Sequence, residues 1–150
     1  MCSRLWPKSA HERKNCKMAV LKVLDSWALM AFFEDEPGAE RVEGLLLDAE
    51  KSGRPLLMSV VNWGEVWYSI ARRQGEKIAD RFIEDIEKMA VEIVGADQAL
   101  TKLAAEFKSK HKMSYADCFA AALSKQRKAD LVTGDKDFKQ VEGAIKIAWV

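Results

Sequence analysis

From Val20 onward, short apolar runs of strand character alternate with stretches of helical periodicity, and this alternation narrows the possible folds more than any other feature. Val20–Leu24 is predicted as the first strand, followed by a helix from Ser26 to Phe33. Pro37-Gly38 breaks the chain before Val42, Leu45, Leu46 and Ala49, whose spacing marks a helix closed by Gly53. Leu56–Val61 reads as a second strand, continuous enough in apolar character to be buried on both faces. Asn62 to Arg73 predicts a helix ending near Gly75, and Ile78, Phe82, Ile86 and Met89 line the next. Val91–Val94 gives a third strand, after which Asp97 caps a helix with Leu100, Leu103, Ala104 and Phe107 in register. Ser114 opens a helix with Ala116, Phe119, Ala120 and Leu123 as its stripe, and Asp130–Thr133 and Ala144–Ala148 complete five strands. Strands separated by helices imply a parallel sheet with helices on both faces, a three-layer α/β/α fold.

At 150 residues the chain is one domain by length, and 49% apolar with 31% charged residues describes a globular protein rather than a disordered one. Lys22 and Asp25 interrupt the apolar stretch Val20–Phe33, so it is not a membrane span. Residues 1–17 lack the apolar core of a secretory signal. Cys2, Cys16 and Cys118 have no metal-ligand spacing and, being three, cannot all pair. Reduced thiols in a cytoplasmic protein are the simplest account. The formal charge of +1 divides unevenly: residues 1–17 hold five basic residues against Glu12 (+4), leaving 19 basic and 22 acidic residues (−3) beyond. The fold is therefore taken as residues 18–150. Residues 1–17 are a basic extension outside it, either an RNA-binding arm or an upstream addition.

Four acids carry the chemistry. Asp25, Glu65, Asp117 and Asp135 each fall just past a strand-like run or at the start of the helix that follows. In an open parallel sheet, ligands bind outside the carboxyl ends of the strands. Carboxylates gathered there repel one another unless a cation lies between them. Taken singly, each acid has an ordinary role as a helix cap: Asp25 and Asp135 as N-caps, Glu65 and Asp117 as the third residue after Asn62 and Ser114 in capping boxes. Capping does not explain why all four share one edge, or why Ser26, Asn62, Ser114 and Thr133 add neutral oxygens nearby. Oxygen ligands of this kind suit a hard ion such as Mg²⁺. Such an ion generates hydroxide near neutral pH and neutralises a phosphate in an in-line displacement. Competing chemistries lack their residues: the only histidines are His11 and His111, and no Gly-rich phosphate loop is present. Position 27 is Trp, not the second carboxylate of a phosphoaspartyl hydrolase.

Leu24-Asp25-Ser26, Asn62-Trp63-Gly64-Glu65-Val66, Ser114-Tyr115-Ala116-Asp117 and Thr133-Gly134-Asp135-Lys136-Asp137-Phe138 together resemble the PIN domain, and more specifically the VapC-type toxins of prokaryotic toxin–antitoxin pairs. The resemblance spans Met18 to Val150. It implies a five-stranded parallel sheet and a Mg²⁺- or Mn²⁺-dependent endoribonuclease leaving 5′-phosphate and 3′-hydroxyl ends. It also implies a homodimer held inactive by an antitoxin. Asp25, Glu65, Asp117 and Asp135 match the family's acidic quartet; Ser26, Asn62, Thr133 and Asp137 are accessory candidates. The alternatives are a PIN nuclease of RNA processing or structure-specific DNA cleavage, or a catalytically silent nucleic-acid-binding module.

An RNA substrate calls for cations, and the candidates are Arg72 and Arg73, two turns beyond Glu65, and Lys136 beside Asp135. Trp27, Trp63 and Trp67 each stand two residues from a proposed ligand, offering base stacking or, more simply, core packing. With Phe32, Phe33 and Tyr68 they are expected to leave a contiguous apolar surface for a dimer or antitoxin contact.

Overall fold

The computed structural model describes residues 19–150, so the boundary expected at Met18 and the basic extension of residues 1–17 lie outside the described residues. Strands β1 (Lys22–Leu24), β2 (Leu56–Ser59), β3 (Val91–Val94), β4 (Asp130–Thr133) and β5 (Ile147–Trp149) form one sheet in the order β3-β2-β1-β4-β5. Every neighbouring pair is parallel, with Leu24 beside Val132 and Val23 beside Leu57. The helices are α1 (Ser26–Phe33), α2 (Ala39–Ser52), α3 (Val60–Gln74), α4 (Glu76–Lys88), α5 (Gln98–Lys110) and α6 (Tyr115–Arg127), with a 3-10 turn at Lys136–Val141.

The period-2 alternation of strand side chains divides the core into two layers. Leu24, Leu56, Met58 and Val132 face α1 to α4, where they meet Leu29, Val42, Val66, Ile70 and Ile86. Val23, Leu57 and Leu131 point the other way, onto Leu100, Phe107, Phe119, Leu123 and Phe138 of α5, α6 and the 3-10 turn. In α6 every residue from Cys118 to Ser124 is buried. A helix apolar all round belongs inside, and its run of alanines lets it pack closely against α5 and the sheet. Cys118 is a buried free thiol. Among the described residues no helix is long and apolar enough to cross a membrane.

Three boundaries differ from the sequence reading, two of them because a backbone group found another partner. Strand β2 stops at Ser59, not Val61: the Ser59 hydroxyl accepts the Asn62 N–H and starts α3 early. Glu65 is consequently in the second turn of α3 and is not a capping-box residue. Strand β5 starts at Ile147, not Ala144, because the Ala144 and Ile145 N–H groups both close a turn onto the Val141 carbonyl. Strand β1 begins at Lys22, with Val20 and Leu21 exposed.

The expected apolar surface is reduced to Tyr68. Trp27, Phe32, Phe33, Trp63 and Trp67 are half-buried against the layer formed by α1 to α4. Four helices on one face supply more cover than a single buried helix stripe would. Gly75 ends α3 and begins α4 at φ 94°, ψ 159°, a conformation open essentially to glycine alone.

Candidate active site

The order of the sheet reverses between β1 and β4, and the acids gather beyond the carboxyl ends of these strands, at the topological switch point. Asp25 follows β1 directly and caps α1. Its Oδ1 accepts the Ala28 N–H at 2.8 Å, its Oδ2 accepts the Thr133 hydroxyl at 2.6 Å, and it is 1% exposed. Thr133 ends β4, and its oxygen also accepts the Asp135 N–H at 3.0 Å. One hydroxyl therefore fixes two of the predicted acids to each other. Asp135 in turn caps the 3-10 turn by accepting the Asp137 N–H at 2.9 Å. Asp117 is the third residue of α6, which Ser114 caps by accepting the Asp117 N–H at 3.1 Å. Capping and convergence coexist in these residues.

The tightest convergence is not the predicted quartet. One carboxylate oxygen each from Asp117, Asp135 and Asp137 lies within 4.8 Å of the others, and among the described residues no other group of three does so. Asp137 thus joins two members of the quartet. Glu65 lines the same cleft as Asp117 and Asp135, a space of about 440 Å³ bounded also by Ser26, Trp27, Glu34 and Arg73. Asp25 lies buried alongside, tied to Asp135 through Thr133.

The electrostatics match a site short of positive charge. Burial pushes the Asp25 carboxyl up to about 8, against the pull of its bonds to Thr133 and Ala28, and the charges of Asp117 and Asp135 push it the same way. Burial also raises Asp117, to about 6; Ser114 opposes this, and Asp135, Glu65 and Asp137 reinforce it. Carboxylates held this way regain their charge when a cation joins them. The donors are all hard oxygens from separate segments, and the one cation in the cleft lining, Arg73, already pairs with Glu34 at 2.6 Å. The residues present therefore fit a divalent ion.

Several predicted residues take a different part from the one expected. Asn62 is fully buried: its amide nitrogen donates to Ser26 Oγ at 3.3 Å and to the Ala116 carbonyl at 3.0 Å, while Ser26 Oγ donates back to the Asn62 carbonyl. It cross-links α1, α3 and α6, the helices that follow or carry Asp25, Glu65 and Asp117. Its Oδ1 is buried without a partner. Arg73 is held by Glu34 and by the Ser69 carbonyl of its own helix, and Arg72 lies over the Tyr68 ring with 5.0 Å to its centroid. Lys136 is exposed beside Asp135. Trp67 donates its indole N–H to Asp80, and Trp27 packs directly on Gly134. Tyr68 was expected only as part of an apolar surface, but its hydroxyl donates to Glu65 Oε2 at 3.3 Å. Its position three residues beyond Glu65 on one helix face was the signal that would have found it.

The sequence model of the PIN domain matches residues 22–144. Ribonuclease VapC30 of Mycobacterium tuberculosis is 32% identical over 127 residues, which cover 80% of this chain and 94% of that protein. The fold is also similar to that of VapBC2 from Rickettsia felis, solved bound to a DNA fragment from its promoter, with TM-score 0.67, 15% identity and coverage of 87% and 98%. VapC20 of M. tuberculosis, described as a sarcin–ricin-loop-cleaving toxin, aligns with TM-score 0.63, 18% identity and coverage of 84% and 98%. With the family match running from the first strand to the turn before the last, and a VapC ribonuclease sharing about a third of the aligned residues, the chain belongs to the PIN domain family.

Proposed function

We propose that the chain is a divalent-metal-dependent endoribonuclease and the toxin of a toxin–antitoxin pair. The observation that carries this is the meeting of Asp117, Asp135 and Asp137 within 4.8 Å beside Glu65 and Asp25, in a PIN-domain chain similar to VapC ribonucleases. Asp117, Asp135 and Asp137 would hold the ion, with Glu65 and Asp25 completing its acidic surroundings; Mg²⁺ or Mn²⁺ suits such oxygens. When bound, the ion supplies charge neutralisation at the phosphodiester and acidifies water.

The chain's own residues prepare that chemistry. Thr133 holds the Asp25 carboxylate and the Asp135 backbone at fixed distance, so neither acid has to reorganise when substrate arrives. Asn62 keeps the starts of α1, α3 and α6 in register. Tyr68 holds the Glu65 carboxylate by its hydroxyl. Trp27, Met30 and Arg73 line the same cleft as the acids, and a strand of nucleic acid would pass over them.

Incubating the purified protein with labelled RNA is the test. Cleavage should require added Mg²⁺ or Mn²⁺, cease with chelator, and disappear in Asp117→Asn. Induced expression in cells should arrest growth, and 5′-end sequencing of their RNA should locate the cuts. Full cleavage in chelator would sink the metal mechanism. Deoxyribonucleotide cleavage with RNA untouched would favour a nuclease of DNA structure. The similarity to VapC proteins also supports two assembly proposals, a homodimer and a cognate antitoxin that covers the acid cleft. A basic side chain from the antitoxin, placed among the acids, would neutralise them and compete with the ion.

A further inference from the structure

Tyr68 lies one turn beyond Glu65 on α3 and is 44% exposed; only Tyr115, at 45%, matches it among the exposed aromatic side chains of the described residues. Two contacts fix its ring: the hydroxyl donates to Glu65 Oε2 at 3.3 Å, and the Arg72 guanidinium lies 5.0 Å from the ring centroid. The ring therefore has little freedom left to lose on binding. Its partner Glu65 and its chain neighbour Ser69 line a cleft with five carboxylates, those of Glu34, Glu36, Glu65, Asp117 and Asp135, whose single lining cation is engaged by Glu34. Apart from the ion at the scissile phosphate, such a cleft gains little from phosphate-backbone attraction, so contacts that do not depend on charge add to its hold on a polyanion. An aromatic ring backed by a guanidinium supplies one, because every base has a π-face. Bases stacked within a duplex have those faces covered, so the contact selects unpaired nucleotides.

We propose that Tyr68, backed by Arg72, stacks an unpaired base next to the scissile phosphodiester. This rests on the ribonuclease reading above. The test is steady-state cleavage of a labelled single-stranded oligoribonucleotide with Mn²⁺ by wild type, Tyr68→Ala and Tyr68→Phe. It is repeated on oligonucleotides carrying one abasic site moved along the strand. Tyr68→Ala is expected to raise KM about 5- to 150-fold, the equivalent of one lost base stack, and Tyr68→Phe, which keeps the ring, to restore it. One abasic position should raise KM for wild type and add nothing in Tyr68→Ala. An unchanged KM in Tyr68→Ala overturns the stacking subsite while leaving the nuclease intact. A loss confined to kcat and equal in Tyr68→Ala and Tyr68→Phe, with KM unchanged, also overturns it and leaves the hydroxyl's hold on Glu65 as the whole role of Tyr68. Absence of any RNA cleavage by wild type overturns the ribonuclease reading, and the subsite with it.

Discussion

Asp25 is the residue on which the site's energetics turn, because it is buried at 1% exposure with its carboxyl raised to about 8. A carboxyl whose pKa is higher in the folded protein than in the unfolded chain favours the folded state in its protonated form. That stabilisation is complete below the ordinary value of 3.8 and is lost as pH rises through about 8; for Asp117 it is lost through about 6. Metal-free protein should therefore melt at a lower Tm at about pH 8 than at about pH 5. Saturating Mn²⁺ should recover most of the difference, since the ion takes the protons' place, and Asp25→Asn should flatten the slope. A metal-free Tm that rises with pH would contradict this environment for Asp25. Asp25, Asp117 and Asp135 were legible as candidates in the sequence because each follows a strand or opens a helix; Glu65, in the second turn of α3, does neither. Their exact partnership was not: Asp137 enters the convergent trio only because the turn after Asp135 is a tight 3-10 helix. Asn62 was legible as an oxygen donor near the site, but its role as a tie depends on the approach of α6, distant in sequence.

At the scale of elements, the loop between β4 and the 3-10 turn shows how packing holds the chemistry. A Cβ at Gly134 would fall within the Trp27 indole, so this glycine is required by its neighbour and not by its own backbone angles. Trp27 is presented by the first turn of α1, beside Asp25, and so couples the two segments that carry Asp25 and Asp135. Gly134→Ala should cost about 1–3 kcal/mol of stability by overpacking, read from urea denaturation, and should weaken Mn²⁺ binding through the displaced Asp135. Stability and Mn²⁺ affinity equal to wild type would show that the contact positions nothing. The strand–helix alternation was readable throughout because a parallel sheet writes continuous apolar runs. The starts and stops that were missed, at Ser59 and Ile147, depended on single side-chain or turn hydrogen bonds that periodicity does not register. The exposure of the aromatic residues was unreadable for another reason. How many helices share a face is a property of topology, and four of them cover Trp27, Phe33, Trp63 and Trp67.

In the whole molecule, the order reversal of a parallel sheet brings Asp25, just after β1, and acids from α3, α6 and the segment after β4 to one edge. We propose that residues 18–150 carry the complete activity and assemble as a homodimer. A chain shortened to start at Met18 should match the full chain in metal-dependent cleavage at low salt, and light scattering should give twice the monomer mass. Loss of cleavage by a folded shortened chain would move the domain boundary. We propose that Asp117, Asp135 and Asp137 gather around a divalent ion that cleavage requires. Calorimetric titration of Mn²⁺ into wild type and Asp117→Asn, with RNA cleavage measured on the same samples, tests it most directly. Wild type should bind Mn²⁺ saturably and cleave in proportion to its occupancy, while Asp117→Asn should remain folded and lose both. Cleavage by metal-free protein, or an Asp117→Asn variant that cleaves as wild type does, would contradict the account.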